Sequence, residues 1–197
     1  LIRSEVIRRD VRVDPRVEVL LFAADRIWHL VNEVLPALRR GVWVVSDRYV
    51  YSSIAYQGAL GVPIEWIRSV NRFAPPPDAA FYIDVPPDVG LRRKGQLESA
   101  TFENVVYLAK VREIYLDLVR RGELIYVDGS RSVTEVVNTI LDATVRLAER
   151  VACFLLTCAH GLHELLLYPL HALQDVKPLN QPIQLPKLII ASSTPEP

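Results

Sequence analysis

The feature that most limits the fold is an alternation between two hydrophobic periods. Short, nearly continuous apolar runs at 42–45, 79–85 and 124–127 are separated by longer stretches with apolar side chains every three to four residues. A short apolar run bounded by polar or turn residues suits a strand buried on both faces, and helical spacing between such runs suits crossover helices. Residues 17–40 carry Val19, Leu20, Ala23, Ile27, Leu30, Val31, Val34 and Leu38 at helical spacing. Asp14 and Pro15 read as its N-cap and first residue, Gly41 as its stop, and Pro36 as a bend in its last turn. Further helices are expected after the 47–53 turn, over about 63–74 until the prolines at 75–77, and from 88 to 94. A long one over 103–121 ends near Gly122, and a last one covers 132–150, with Ser132 and Glu135 set as a capping box. This order predicts an α/β fold: a parallel sheet with helices on both faces, joined by right-handed crossovers. Ligands of such sheets sit outside the C-terminal ends of the strands, which directs attention to the residues after Val45, Val85 and Val127.

Composition sharpens this picture. The chain has 197 residues, one domain's worth plus at most a tail. Residues 1–150 carry 41 of its 46 charged side chains and residues 151–197 only five, so we divide it into a domain and a tail at 150. Lys plus Arg and Asp plus Glu both number 23, and this balance argues against a nonspecific nucleic-acid binder. Two cysteines make no secreted disulfide scaffold, and the first residues do not form a secretory leader. A cytoplasmic protein is expected. Residues 151–173 have the length to cross a bilayer, but His160, His163, Glu164, Pro169 and His171 argue against a spanning helix and a membrane partner. Cys153, Cys158, His160 and His163 match no standard zinc spacing. The tail reads as an added helix followed by an irregular Pro-rich end.

Three places carry chemistry. After the first strand stands Asp47-Arg48: a carboxylate that can support a hydrated Mg²⁺ beside a guanidinium that can fork onto phosphate oxygens, or else an ordinary surface pair. After the second strand, Arg92-Arg93-Lys94 could clamp a polyphosphate or form a solvated helix face. Gly90 and Gly95 have the offset of a phosphate-binding loop, but Gln96 and Leu97 stand where Lys and Ser or Thr would be needed. Phe22 and Arg26 lie four apart on the first helix, where they could stack on a base and bond its edge, or be a core Phe beside a surface Arg.

Together these segments resemble the thymidylate kinase family. The resemblance is carried by Leu20-Leu21-Phe22-Ala23-Ala24-Asp25-Arg26, by Asp47-Arg48-Tyr49 through Ala55-Tyr56-Gln57-Gly58, and by Pro77-Asp78 leading into the second strand. Thr101-Phe102-Glu103-Asn104 and Val127-Asp128-Gly129-Ser130 complete it. It implies a P-loop kinase-like fold and transfer of the ATP γ-phosphoryl group to dTMP with Mg²⁺. By the same resemblance, Phe22 would stack on thymine and Arg26 bond its edge. Arg48 would hold the dTMP phosphate, with Asp47 aligning Mg²⁺ and phosphate indirectly. Ser52, Ser53, Tyr56 and Gln57 would line the deoxynucleoside pocket. Arg92, Arg93 and Lys94 would form the ATP lid, with Arg92 and Arg93 acting in catalysis, and Asp128, Gly129 and Ser130 would lie on the adenine side. A homodimer through residues 17–40 is also implied.

The sequence departs from the family at its front. The family begins with a central strand and a Gly-rich loop ending in Lys and Ser or Thr, and these 197 residues contain neither. The expectation is therefore a sheet with open edges and a chain that does not turn over dTMP by itself. The alternatives are a catalytically silent relative that binds a nucleotide or a partner, and a deoxynucleoside kinase. That last family favours Glu-Arg where Asp47-Arg48 stands.

Overall fold

A computed structural model describes residues 13–93, 102–165 and 187–192. Helix α1 spans Pro15–His29, a π-helical turn spans Leu30–Val34, and α2 spans Leu35–Arg39. These are followed by β1 (Val44–Asp47), α3 (Val50–Gly58), α4 (Ile64–Val70), β2 (Ala79–Asp84) and α5 (Pro87–Arg93). The chain continues with α6 (Phe102–Arg120), β3 (Ile125–Asp128), α7 (Val133–Leu165) and β4 (Lys187–Ser192).

Local chemistry accounts for the boundaries. The Asp14 carboxylate accepts from the Arg16 backbone N–H at 2.8 Å, and Pro15 occupies the first turn, where its missing N–H costs nothing. The expected bend near Pro36 is the π turn immediately before it, in which the Leu35 N–H reaches back to Leu30 O. Proline cannot donate to the preceding turn, and its ring crowds the carbonyl four residues back, so the ladder widens. Gly41, at φ 78°, lets the helix end: its N–H bonds Leu38 O and the Val42 N–H bonds Ala37 O. That closure consumes Val42, so the first strand starts at Val44 rather than at 42. The Ser132–Glu135 capping box forms in both directions.

All strand pairings are parallel, in the order β1-β4-β2-β3. Alternation along β2 splits two cores. Ala80 and Tyr82 join Val19, Ile54, Ala55, Ile67, Val111 and Tyr115 beneath α1, α3, α4 and α6. Phe81 and Val127 pack against Ile140 of α7, with Ile83 packed against them. Helices thus cover both faces, as the alternation of periods predicts.

Two expectations about the tail are corrected. The last helix does not stop at Arg150 but runs unbroken to Leu165, so the domain-to-tail boundary falls inside one helix. The chain there has no Gly or Pro to break it before Gly161. Nor is the Pro-rich end irregular throughout. Residues 187–192 form β4, which fills the space between β1 and β2 and closes the edges expected to be open. Unpaired rows of N–H and C=O groups on β1 and β2 favour any apolar, β-branched segment within reach, and Leu188-Ile189-Ile190 is one.

Candidate nucleotide site

Because every pairing is parallel, the C-terminal ends of β1, β2 and β3 point to the same edge of the sheet, with β4 between β1 and β2; Asp47 is level with Phe81 through Ile190, and Asp84 pairs with Asp128 three residues further on. This brings three predicted segments to one edge of the sheet.

At the end of β1, Asp47 is exposed and Arg48 turns the chain into α3 with φ 66°. It has the only positive φ among described residues other than glycine. An L-residue there costs of order 1 kcal/mol, and such strain collects where a side chain must be aimed. The guanidinium is aimed over the Tyr56 ring, 5.0 Å from its centroid. Tyr56 meets Tyr107 and Tyr115 edge-on at 6.4 Å, and Tyr115 stacks on Tyr82 at 4.5 Å. The cation therefore rests on a tyrosine stack rooted in the core.

Helix α1 delivers Arg26 to the same corner. Its guanidinium donates to Asn71 Oδ1, to Tyr49 O at 3.2 Å and to Ser53 Oγ at 3.2 Å, and lies 5.6 Å from the centre of the Tyr49 ring. Burial lowers the Arg26 pKa, yet guanidinium stays charged at any physiological pH. Burial also raises the Tyr49 hydroxyl to about 12, so it stays protonated and donates to Pro75 O at 3.1 Å. Phe22, one turn before Arg26, is half-buried.

Not every predicted pocket residue faces open space. Gln57 is 5% exposed and donates its amide to the buried Glu18 carboxylate at 3.0 Å. Ser52 is buried and accepts from the Tyr115 hydroxyl at 3.2 Å. Ser53 and Tyr56 are the two of this set that meet Arg26 and Arg48.

The three adjacent cations also divide. Arg92 pairs with Asp88 one turn back at 3.5 Å. Arg93 donates to Gly129 O at 2.8 Å and Ser130 O at 3.1 Å, so it grips the loop after β3. Lys94 lies outside the described residues, as does Thr101. Asp128 organises that loop by accepting from the Ser130 N–H and hydroxyl. Gly129 is there because nothing larger fits: a Cβ would come within 2.6 Å of Val85 Cγ2 and 2.9 Å of Asp84 O. Its N–H bonds Asp84 O at 2.8 Å, tying the ends of β2 and β3 together.

With this geometry in place, comparison with known proteins decides the family. The thymidylate kinase profile matches residues 1–140. The chain belongs to the thymidylate kinase family. It is 43% identical over 129 residues to a probable thymidylate kinase of Staphylothermus marinus, covering 64% of this chain and 65% of the relative. It is 44% identical over 129 residues to a probable thymidylate kinase of Pyrobaculum calidifontis, covering 65% and 67%. A probable thymidylate kinase of Pyrococcus abyssi is 40% identical over 148 residues, covering 72% of each chain. The chain thus spans about two thirds of the length of these curated relatives. The matched region contains β1 to β3, while β4 lies beyond it.

In this member of the thymidylate kinase family, sequence reasoning missed several residues that build the site. Asn71 and Glu18 gave no signal: each is a polar residue whose partner, Arg26 or Gln57, is 45 or 39 positions away. Asp84 did give one, as a charge inside an otherwise apolar strand. It is 3% exposed and receives a two-pronged contact from Arg112 at 2.8 Å and 2.8 Å, plus the Tyr82 hydroxyl at 2.9 Å. Burial opposes its ionisation, but those hydrogen bonds and the Arg112 charge outweigh it and hold the carboxyl below its ordinary range. Among the described residues, no three His, Cys, Asp or Glu side chains cluster as a metal site. No helix of the described residues is long and apolar enough to cross a membrane.

Proposed function

We propose that the corner formed by Arg26, Arg48, Ser53 and Tyr56 is the seat of dTMP in a thymidylate kinase that transfers the ATP γ-phosphoryl group to it. The observation that carries this reading is the aiming of Arg48. A left-handed backbone at the mouth of the sheet presents a guanidinium on a tyrosine platform, one residue from the carbonyl that fixes Arg26. A guanidinium so placed forks onto a mononucleotide phosphate, while Arg26 and Phe22 on α1 would take the base edge and face.

The resulting division of labour follows from charge and reach. Arg48 would hold the acceptor phosphate in line, and Asp47, exposed beside it, would orient Mg²⁺ through water. One carboxylate with several waters and phosphate oxygens suits that ion. Mg²⁺, when bound, would offset charge on the transferring group. Arg92 would approach ATP from α5, and Arg93 would hold the 128–130 loop against the adenine side. Catalysis of this kind is positioning plus electrostatics. These 197 residues hold no Gly-x-x-x-x-Gly-Lys-Ser/Thr sequence, so we expect binding of dTMP without turnover by this polypeptide alone. In a turning-over form, loss of Arg48 would cost on the order of 10²–10³ in rate. Such an enzyme would work in the cytoplasm. The exposed side chains of Val17, Leu20, Ile27, Trp28 and Val31 on α1 and the π turn support pairing of two copies there.

Calorimetric titration of dTMP and thymidine tests the seat. The purified chain should bind dTMP, and Arg48→Ala should weaken it about 100-fold, in line with loss of roughly 3 kcal/mol from a charged fork, while thymidine affinity stays within about threefold. Equal loss for thymidine would show that Arg48 does not hold the phosphate. Phosphoryl transfer by the 197-residue chain would overturn the expectation of binding without turnover.

A further inference from the structure

The surroundings of Arg26 fix its guanidinium without neutralising it. The group carries five N–H donors. Nη1 donates to Asn71 Oδ1, and Nη2 donates to Tyr49 O and to Ser53 Oγ, each at 3.2 Å. None of these acceptors is charged. Nε and the second N–H of Nη1 meet no acceptor among the described residues. Of the three contacts, that to Asn71 is the most constrained at the acceptor end. Asn71 is the C-cap of α4 and is 3% exposed. Its Nδ2 donates to Ile67 O at 2.8 Å, and its main-chain carbonyl accepts from the Ala74 N–H at 2.9 Å. Because the amide nitrogen is committed to a carbonyl, the amide oxygen is the end that meets the guanidinium. A flipped amide would set donor against donor and acceptor against acceptor.

We propose that Asn71 is a positioning residue that makes the base subsite selective for a pyrimidine with a carbonyl, rather than an amino group, at its 4-position. This rests on the dTMP seat proposed above and adds what chooses the base. A fixed, unneutralised guanidinium offers only donors. Thymine presents the O4 acceptor, whereas cytosine presents the N4 amino donor at the same place. Donors facing each other in a half-buried corner stay unpaired, and a site left with unpaired polar groups rejects that ligand. The neutrality of Asn71 belongs to the device. An aspartate there would still accept from Arg26, but it would draw the charge into an ion pair and set an oxygen against Ile67 O.

The test is calorimetric titration of dTMP and dCMP into the full chain, unsubstituted and with Asn71→Ala or Asn71→Asp. The unsubstituted chain should bind dTMP about 100-fold more tightly than dCMP; equal affinities overturn the proposal without any variant. In Asn71→Ala the guanidinium can turn, so dTMP affinity should fall about tenfold while dCMP stays within about twofold. The ratio should narrow in Asn71→Asp as well, and a full ratio there overturns the role of a neutral acceptor. A merely structural role would weaken both nucleotides equally in Asn71→Ala, and an unchanged ratio overturns the proposal. Arg48→Ala tells this failure from failure of the seat. If it weakens dTMP while the Asn71 variants keep the ratio, Asn71 loses its role and the seat stands; no dTMP binding by the unsubstituted chain overturns both. Nitrogen-15 NMR of the unsubstituted chain is the second measurement. Arg26 should show separate Nη proton signals, and a single averaged signal overturns a fixed guanidinium.

Discussion

On one face of the sheet, Ala80 and Tyr82 lie under four helices in a core rich in tyrosine; on the other, Phe81 and Val127 lie under α7 with Ile140. Tyr82, Tyr115, Ile54 and Ile67 on the first face and Phe81 on the second are all below 2% exposed, but the cluster on the first face is much the larger. The second leaves Val45 62% exposed and a stripe on α7, Val133, Val137, Leu141 and Val145, facing outward. The candidate site is built against the well-filled face. Arg48 rests on Tyr56, which touches Tyr115, and Arg26 is fixed by Ser53 of α3 and by Asn71 at the end of α4. A site that must hold two guanidinium groups in fixed positions needs side chains locked by packing behind it.

Stability measurements can break this contrast. The largest effect is expected on the filled face. Tyr115→Ala should cost about 4 kcal/mol in denaturant unfolding, whereas Ile140→Ala on α7 should cost about 2 kcal/mol. Equal losses would show that the two cores are equally filled.

Asp84 sits at the end of β2, on the face of Tyr82 and α6. Asp84→Asn leaves Arg112 without its charge partner and should cost roughly 3 kcal/mol at pH 7. The sign of the pH dependence follows from the lowered carboxyl pKa. Stability contributed by ionised Asp84 is present above the unfolded-state value of about 3.9 and is lost as pH falls through the lower folded value. The gap between the two proteins should therefore narrow below about pH 4 in unfolding titrations. A gap constant down to pH 2 would mean that charge is not what Asp84 contributes.

Gly129→Ala sharpens the comparison from the thinner face. Its Cβ would meet Val85 and Ile83 and, less yieldingly, the Asp84 carbonyl. A cost of about 2 kcal/mol is expected, with a chemical shift change at the Arg93 guanidinium, which bonds the same loop. Ser132→Ala, which removes the α7 cap, should cost about 1 kcal/mol and leave the filled face unchanged by near-ultraviolet dichroism.

Sequence alone determined the elements that obey local rules. Asp14, Pro15, Gly41, Ser132 and Glu135 act through neighbours a few residues away, so caps and stops were legible. The two-residue period of β2 and the helical stripes around it were equally legible, because burial on a layered α/β core imposes them wherever the chain crosses it. The motifs at 47–57 and 127–130 begin at the C-terminal ends of β1 and β3, the edge where ligands of such sheets are expected. Tertiary structure alone decided what lies far apart in the chain. Gln57 turns inward to Glu18, Arg93 grips the Gly129 loop instead of joining Arg92, and Asn71 reaches Arg26. It also decided that residues 187–192 enter the sheet between β1 and β2. A run such as Leu188-Ile189-Ile190 states that a strand is favoured, but which edges it satisfies depends on the backbone groups left unpaired when the other strands assemble.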